Sequence, residues 1–333
     1  MPIINVLDAG HGDCILLDFT HTLILIDSGP KDFLIRRKVI AKLKDLLNDR
    51  AIDIAVLTHN DDDHIGAYEY ILSSGVKIHR FIFNSLNVCG SIFNADEQQI
   101  SYIQDVNLDT FLTDNNISVE ILFGEADPII INDIKLTPLT PRVDALERMH
   151  SDFLRKIQKK NNQPQISSDE KDEPSLTECI EEIANSDDKF IPDRSITNRT
   201  SLSLIIEYNG FKGLFLGDAW AKDVIETLSA NQIEPNFTVV KLSHHGSEKN
   251  TNSELIKLFG KTEYIICADK SKHNHPNNKT IARILDQFPE AIFHFSSDNE
   301  AVRSIFSENN VLGSQVLCTY SSNGVNVRYY ECK

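Results

Sequence analysis

The run Thr58-His59-Asn60-Asp61-Asp62-Asp63-His64-Ile65-Gly66 puts two histidines and three aspartates into six consecutive residues, directly after the apolar stretch Ile54-Ala55-Val56-Leu57. Neutral imidazole nitrogen and carboxylate oxygen both ligate zinc, manganese or iron, so a strand-end loop holding these groups can serve one or two divalent ions. His59, Asp61 and Asp63 alternate and can converge from a loop that is nearly extended, while His64 turns into the helix suggested by Ala67-Tyr68-Glu69-Tyr70-Ile71-Leu72. Other apolar runs end the same way. Gly213-Leu214-Phe215-Leu216 leads into Gly217-Asp218, and Thr238-Val239-Val240-Lys241-Leu242 into Ser243-His244-His245-Gly246-Ser247. Tyr264-Ile265-Ile266-Cys267-Ala268 leads into Asp269, with His273 and His275 just after.

The elements that must position these groups read as alternating strands and helices. Ile3 to Leu7 and Cys14 to Asp18 are predicted strands joined by Asp8-Ala9-Gly10-His11-Gly12-Asp13, and Thr22 to Ile26 is a third before Asp27-Ser28-Gly29-Pro30. Phe33, Leu34, Val39, Ile40, Leu43, Leu46 and Leu47 follow a helical period, and the strand that delivers the histidine-aspartate loop comes next. A second set begins at Ser201 to Tyr208, turns at Asn209-Gly210, and includes a helix from about Ala221 to Ala230. Strand, helix, strand, polar loop and helix make an α/β layering, in which loops at one end of the sheets face a common cleft.

Composition bounds the function. Hydrophobic residues make up 41% of 333, and the longest apolar runs are far too short to cross a bilayer, so no membrane association is expected. Met1-Pro2-Ile3-Ile4 leads into strand-like sequence with no export signal, and the six cysteines form no CxxC pair. A cytoplasmic protein with free or buried thiols is the expectation. With 33 basic against 49 acidic residues the net charge is −16, which opposes nonspecific binding to a nucleic-acid backbone without excluding nucleic acid as a substrate.

In order, Asp8-Ala9-Gly10-His11-Gly12-Asp13, Ile26-Asp27-Ser28-Gly29, His59 to Ala67, Asn198-Arg199-Thr200-Ser201-Leu202, Gly217-Asp218 and His244-His245-Gly246-Ser247 resemble motifs of the metallo-β-lactamase fold. More narrowly, they are similar to the hydrolase domain of the ComEC-type competence proteins. The resemblance runs from Met1 to about Phe288 and implies one αββα sandwich over residues 1–333, interrupted by a helical and loop insertion at 142–197 and closed by strands within 300–333. It implies a first metal position of His59, Asp61 and Asn198, because Asp61 stands where most of the superfamily has histidine and the usual third histidine is missing. The second position would hold Asp63, His64 and His245, with His244 in reserve, and Asp218 would bridge the two. His11, Asp13 and His273 become groups behind the ligands or against substrate, and Asp27 orders the turn and the neighbouring loop. The oxygen-rich set favours manganese or another hard ion over zinc.

Such a site suits hydrolysis, since a metal lowers the pKa of bound water to roughly 7 and yields hydroxide, while stabilising charge at the attacked centre. Asp63 would orient that nucleophile, and His275 or His273 would give a proton to the leaving group. Lys241, Lys270 and Lys272 are candidates to pair with a phosphate. The resemblance favours a phosphodiesterase or nuclease acting on nucleic acid or a nucleotide. A hydrolase of a small thioester, ester or lactam is the alternative. A metal-stabilised sensor or interaction subunit, with partner proteins from a shared operon in bacterial defence or DNA processing, is another. Val143 to Ile157 and Leu176 to Ala184 suggest helices in the insertion, either a lid over the cleft or a surface excursion. Gln315 to Tyr320 and Val325 to Tyr330 suggest a closing hairpin or short strands. His21 and His294 lie outside any motif and are expected to be structural or surface residues.

Overall fold

The computed structural model describes residues 1–85, 103–158, 173–306 and 316–331. Two mixed sheets lie face to face. In the first, strands β1 (Ile3–Leu7), β2 (Ile15–Asp18), β3 (Leu23–Ile26), β4 (Ile52–Leu57), β5 (Ile78–Phe83) and β6 (Ser118–Glu120) follow one another, and β15 (Val325–Tyr329) pairs with β1. In the second, β7 (Ile129–Ile131), β8 (Ile134–Thr140), β9 (Ser203–Tyr208), β10 (Phe211–Phe215), β11 (Val239–Lys241), β12 (Glu263–Ile266), β13 (Ile292–Phe295) and β14 (Leu317–Thr319) form an unbroken series.

Alternation along the strands divides the core into three layers. Ile4, Val6, Ile24, Ile54 and Val56 face Leu204, Ile206, Phe215 and Ile265 between the sheets. The opposite residues of the first sheet, such as Leu16, Leu25 and Ala55, pack under α1 (Phe33–Leu47), α3 (Tyr68–Ser73) and α4 (Ile103–Asp114). Those of the second sheet, such as Leu214, Val240 and Ile266, pack under α6 (Leu176–Ala184), α8 (Ala221–Ala230), α9 (Ser253–Phe259) and α10 (Asn278–Gln287). Helix, sheet, sheet, helix is therefore the layer order. Helix α1 shows the local logic. Its N-cap Asp32 accepts from the amides of Leu34 and Ile35, Val39, Leu43 and Leu47 are buried at fourfold spacing, and Asn48 stops it in the left-handed region. Among the described residues no helix is long and apolar enough to cross a membrane.

Two sequence expectations are refined. The closing strands form but not as a hairpin, because β14 adds to β13 of the second sheet and β15 to β1 of the first. The C-terminal segment thus ties both sheets. The insertion contributes α5 (Val143–Gln158), α6 and the short α7 (Ile196–Arg199), and its stretch 159–172 lies outside the described residues. Helix α6 packs on α10 in the outer layer of the second sheet, where Arg283 of α10 meets Asp188 at 2.8 Å. That part of the insertion builds the scaffold.

Candidate metal centre

The loop after β4 leads into α2 (Asp62–Ile65), with His59, Asp61, Asp63 and His64 around one corner of the cleft. Asp218 follows β10, and a single 3₁₀ turn after β11, Ser243–Gly246, carries His244 and His245. Both of these histidines have positive φ, 47° and 55°, a conformation costly for residues with a Cβ. The consequence is that two adjacent side chains reach the same carboxylate. Close approach of the loops needs glycine at two places. Gly217 has φ 50° and a Cβ there would meet Thr58 at 2.9 Å, while a Cβ on Gly12 would strike the carbonyl of Asp63.

The side chains converge on Asp218. His64 Nε2 lies 3.3 Å from its Oδ1, and His59, His244 and His245 place Nε2 at 3.8, 3.7 and 3.7 Å from its Oδ2. Asp61 Oδ2 is 3.5 Å from His59 Nε2, and Asp63 Oδ2 is 3.3 Å from His245 Nε2. Among the described residues the buried Nε2 atoms of His59, His64 and His245 and Oδ1 of Asp218 have no hydrogen-bond partner. Buried polar atoms are normally paired, and a group of them aimed at one point fits a divalent cation. Asp13, His64, Asp218 and His245 can each offer an atom within 4.8 Å of the others.

Behind the ligands stand carboxylates that fix the rings. Asp27 accepts from the Thr58 amide at 2.8 Å and the Thr58 hydroxyl at 2.7 Å, and it lies 2.8 Å from His64 Nδ1. Asp13 Oδ1 is 3.0 Å from His245 Nδ1, which also lies 2.9 Å from the Cys267 carbonyl. Since Asp13 addresses the Nδ1 side of His245 while Nε2 faces Asp63 and Asp218, Asp13 orients a ring rather than joining the ligand atoms.

Burial opposes charge at His64, His245, Asp63 and Asp218, where the neighbouring charges outweigh it, whereas at His244 burial prevails and lowers the imidazole below its ordinary value. His64 is held well above the ordinary imidazole value by Asp218 and Asp27, and His245 is pushed up to about 10 by Asp218 and Asp13. Asp218 and Asp63 fall well below the usual carboxylate range beside these histidines. A divalent ion bound here would compete with protons for the imidazole nitrogens.

The residues implied by the motifs are mostly brought together, with two departures. Asn198, expected beside His59 and Asp61, donates to Asp193 at 2.7 Å and abuts Nδ1 of His244 at 3.3 Å, so it stands behind His244. His244 instead brings its Nε2 to the same Asp218 oxygen as His59. Lys241, a candidate phosphate partner, is 1% exposed and ion-paired with Asp13. Burial would lower that carboxyl's charge, yet Lys241 and His245 hold Asp13 at about 2. Lys270 is tied to Glu173 at 2.9 Å. Lys272, His11, His273 and His275 line the same cavity of about 270 Å³ as Asp61, Asp63, Asp218, His244 and His245. His275 packs 4.9 Å from the His244 ring, and burial together with His244 and His245 keeps it well below the ordinary imidazole value. His294 bridges Glu263 and Thr319 away from the motifs, a structural role.

Three contributors escaped the sequence reading. The Thr58 hydroxyl sits 3.2 Å from His59 Nδ1 and 3.3 Å from His64 Nδ1, and its place beside the motif was the available signal. Asn250 lies 3.0 Å from His244 Nδ1. Asp193 reaches from the insertion to both Asn198 and Asn250, and nothing in its sequence context marked it.

No family model matches the chain. It is 21% identical over 296 residues to ComE operon protein 3 of Bacillus subtilis (strain 168), covering 84% of this chain and 30% of that protein, so it spans under a third of its relative's length. Among solved structures it is similar to the metallo-β-lactamase fold protein YhfI from Bacillus subtilis, at 12% identity and TM-score 0.47 over 98% of this chain and 99% of that one. The layer order of this chain itself is helix, sheet, sheet, helix. Zn(2+)-bound PqqB from Methylobacterium extorquens is similar at 11% identity and TM-score 0.44, over 99% of this chain and all of that one. A diphosphatase from the PhnP family is similar at 11% identity and TM-score 0.44, over 100% of this chain and 99% of that one. The αββα layers of this chain place the ends of β4, β10 and β11 at one mouth, which is where its ligand-type residues gather.

Proposed function

We propose that this chain is a metal-dependent hydrolase and that its substrate is a phosphodiester. The observation that carries the first part is the convergence of four histidine Nε2 atoms on the Asp218 carboxylate, three of them buried without a partner. Around Asp218, His59 with Asp61 and His244, and His245 with Asp63 and His64, would hold one or two ions. When bound, zinc or manganese supplies Lewis-acid polarisation of the attacked centre and a low-pKa water.

The chain's own residues do the rest. Asp27 and Asp13 hold His64 and His245 through Nδ1, which keeps the Nε2 lone pairs facing the cavity. His11, His273 and Lys272 line the same cavity and offer N–H donors there, which supports an anionic substrate. His275, kept neutral, serves as a hydrogen-bond donor to a leaving oxygen more readily than as an imidazolium acid. The motif resemblance to ComEC-type hydrolase domains supports a phosphodiester substrate, and genes beside this one would supply partner proteins.

The test is metal analysis of protein purified without added ions, followed by hydrolysis screens with manganese and with zinc on bis-p-nitrophenyl phosphate, a thioester and a lactam. Diester turnover abolished by chelation is expected. Turnover confined to the thioester or the lactam would overturn the substrate class, and bound metal with no turnover of any of them would point to a sensing or assembly role.

A further inference from the structure

The helix that leaves the Asp27–Pro30 turn carries the wrong sign of charge for this chain. Residues 31–47 hold six of the 33 basic residues and two of the 49 acidic ones, in a protein of net charge −16. Lys31, Arg37 and Lys38 are exposed. Lys31 reaches Asp62 only at 3.7 Å, and no ion pair of Arg37 or Lys38 is found among the described residues.

The same face keeps large apolar side chains in water. Phe33 is 58% exposed, Leu34 66% and Tyr70 41%. The Arg36 guanidinium lies 3.6 Å from the Tyr70 ring centroid and 5.4 Å from that of Phe33, joining α1 and α3 into one surface of rings and cations. A solvated charge run accounts for the lysines but not for a cluster of exposed rings, which marks an interaction surface. The surface is continuous with the metal centre. Pro30 packs on Gly12 beside Asp63, and Lys31 faces Asp62 within the metal loop.

We propose that this face binds a single nucleic-acid strand leading to the cleft, with phosphates against Lys31, Arg37 and Lys38 and bases stacked on Phe33 and Tyr70. A single strand is the polyanion that also presents open π faces, whereas a duplex hides them and a mononucleotide is too short to span both the cavity and α1. The inference deepens the phosphodiesterase reading and rests on it for the chemistry, though not for the binding.

The experiment is fluorescence anisotropy of the full chain with end-labelled oligothymidylate, in chelator to prevent turnover and over a salt series. The pair Arg37→Glu/Lys38→Glu and the pair Phe33→Ala/Tyr70→Ala should each weaken binding about tenfold or more. The first should also flatten the salt dependence by about 0.7 for each phosphate that is no longer neutralised. Lys261→Glu, an exposed cation on the second sheet's side, should leave the affinity unchanged. Hydrolysis of bis-p-nitrophenyl phosphate should be equal in wild type and patch variants. A chain that binds oligothymidylate through the patch but turns over no diester would overturn the proposed function and support the patch. A chain that hydrolyses the diester while neither pair moves its oligonucleotide affinity would overturn the patch alone. Patch-dependent binding to phosphatidylserine vesicles with no oligonucleotide binding would assign the face to membranes and likewise overturn it.

Discussion

Asp27→Asn is the sharpest perturbation of the centre, because it changes one acceptor and little else. Asp27 is fully buried, and its two oxygens receive the Thr58 amide, the Thr58 hydroxyl and the Nδ1 side of His64. Its φ of 55° is one that asparagine tolerates, so the backbone need not move. In the variant the amide oxygen can keep the Thr58 N–H, but an NH₂ group then faces His64. Two donors cannot face each other, so the ring must carry its proton on Nε2, the atom 3.3 Å from Asp218 Oδ1. That removes the lone pair meant for the metal. Loss of such a carboxylate partner lowers metal affinity about 10–100-fold, or about 1.4–2.7 kcal/mol. Competition with a chromogenic zinc chelator reads this directly, and circular dichroism checks that the variant is folded. A folded Asp27→Asn protein with unchanged zinc affinity would refute the reasoning that Asp27 sets the His64 tautomer.

Other outcomes follow from the same geometry. Asp63→Ala should lose bound metal and hydrolysis together, since it removes a charged group from the cluster with His64, His245 and Asp218; full metal content and full turnover would remove Asp63 from the site. Lys241→Ala should destabilise the fold by about 3 kcal/mol in denaturant melts, because buried Asp13 loses its lysine and keeps only His245 beside it, whereas a surface phosphate-binding lysine would cost almost nothing. Asp188→Asn should cost about 2 kcal/mol at neutral pH by weakening the paired bonds to Arg283. Those bonds depress the Asp188 carboxyl below its unfolded value. Its contribution is therefore complete above the unfolded carboxyl pKa of about 3.9 and disappears as pH falls through the folded value, so wild type and variant should converge in acid.

What the sequence disclosed and what it hid have physical causes. The layering was legible because buried strands β1 to β4 and β9 to β12 are short apolar runs, several of which end in His or Asp, and that pattern needs no partner to be read. The region from 78 to 140 carries strands β5 to β8 with no chemical motif, so it gave no foothold. Asn198 stands out for the first metal position only while the His244-His245 pair is read as supplying a single ligand; two consecutive left-handed residues, which no propensity predicts, turn both rings inward. Lys241 looked accessible because lysine is seldom buried, and its partner Asp13 lies beside the other sheet, far away in sequence. The C-terminal strands could be recognised but not assigned, because a three-residue strand does not say which sheet edge it will join.

The most direct measurement is anomalous diffraction from crystals grown with manganese or zinc. Density is expected adjacent to Asp218, among His64, His245 and Asp63, with a further peak beside His59, Asp61 and His244 when both positions fill. Well-ordered crystals with no anomalous peak within bonding distance of Asp218, or with the metal held elsewhere on the chain, would contradict it.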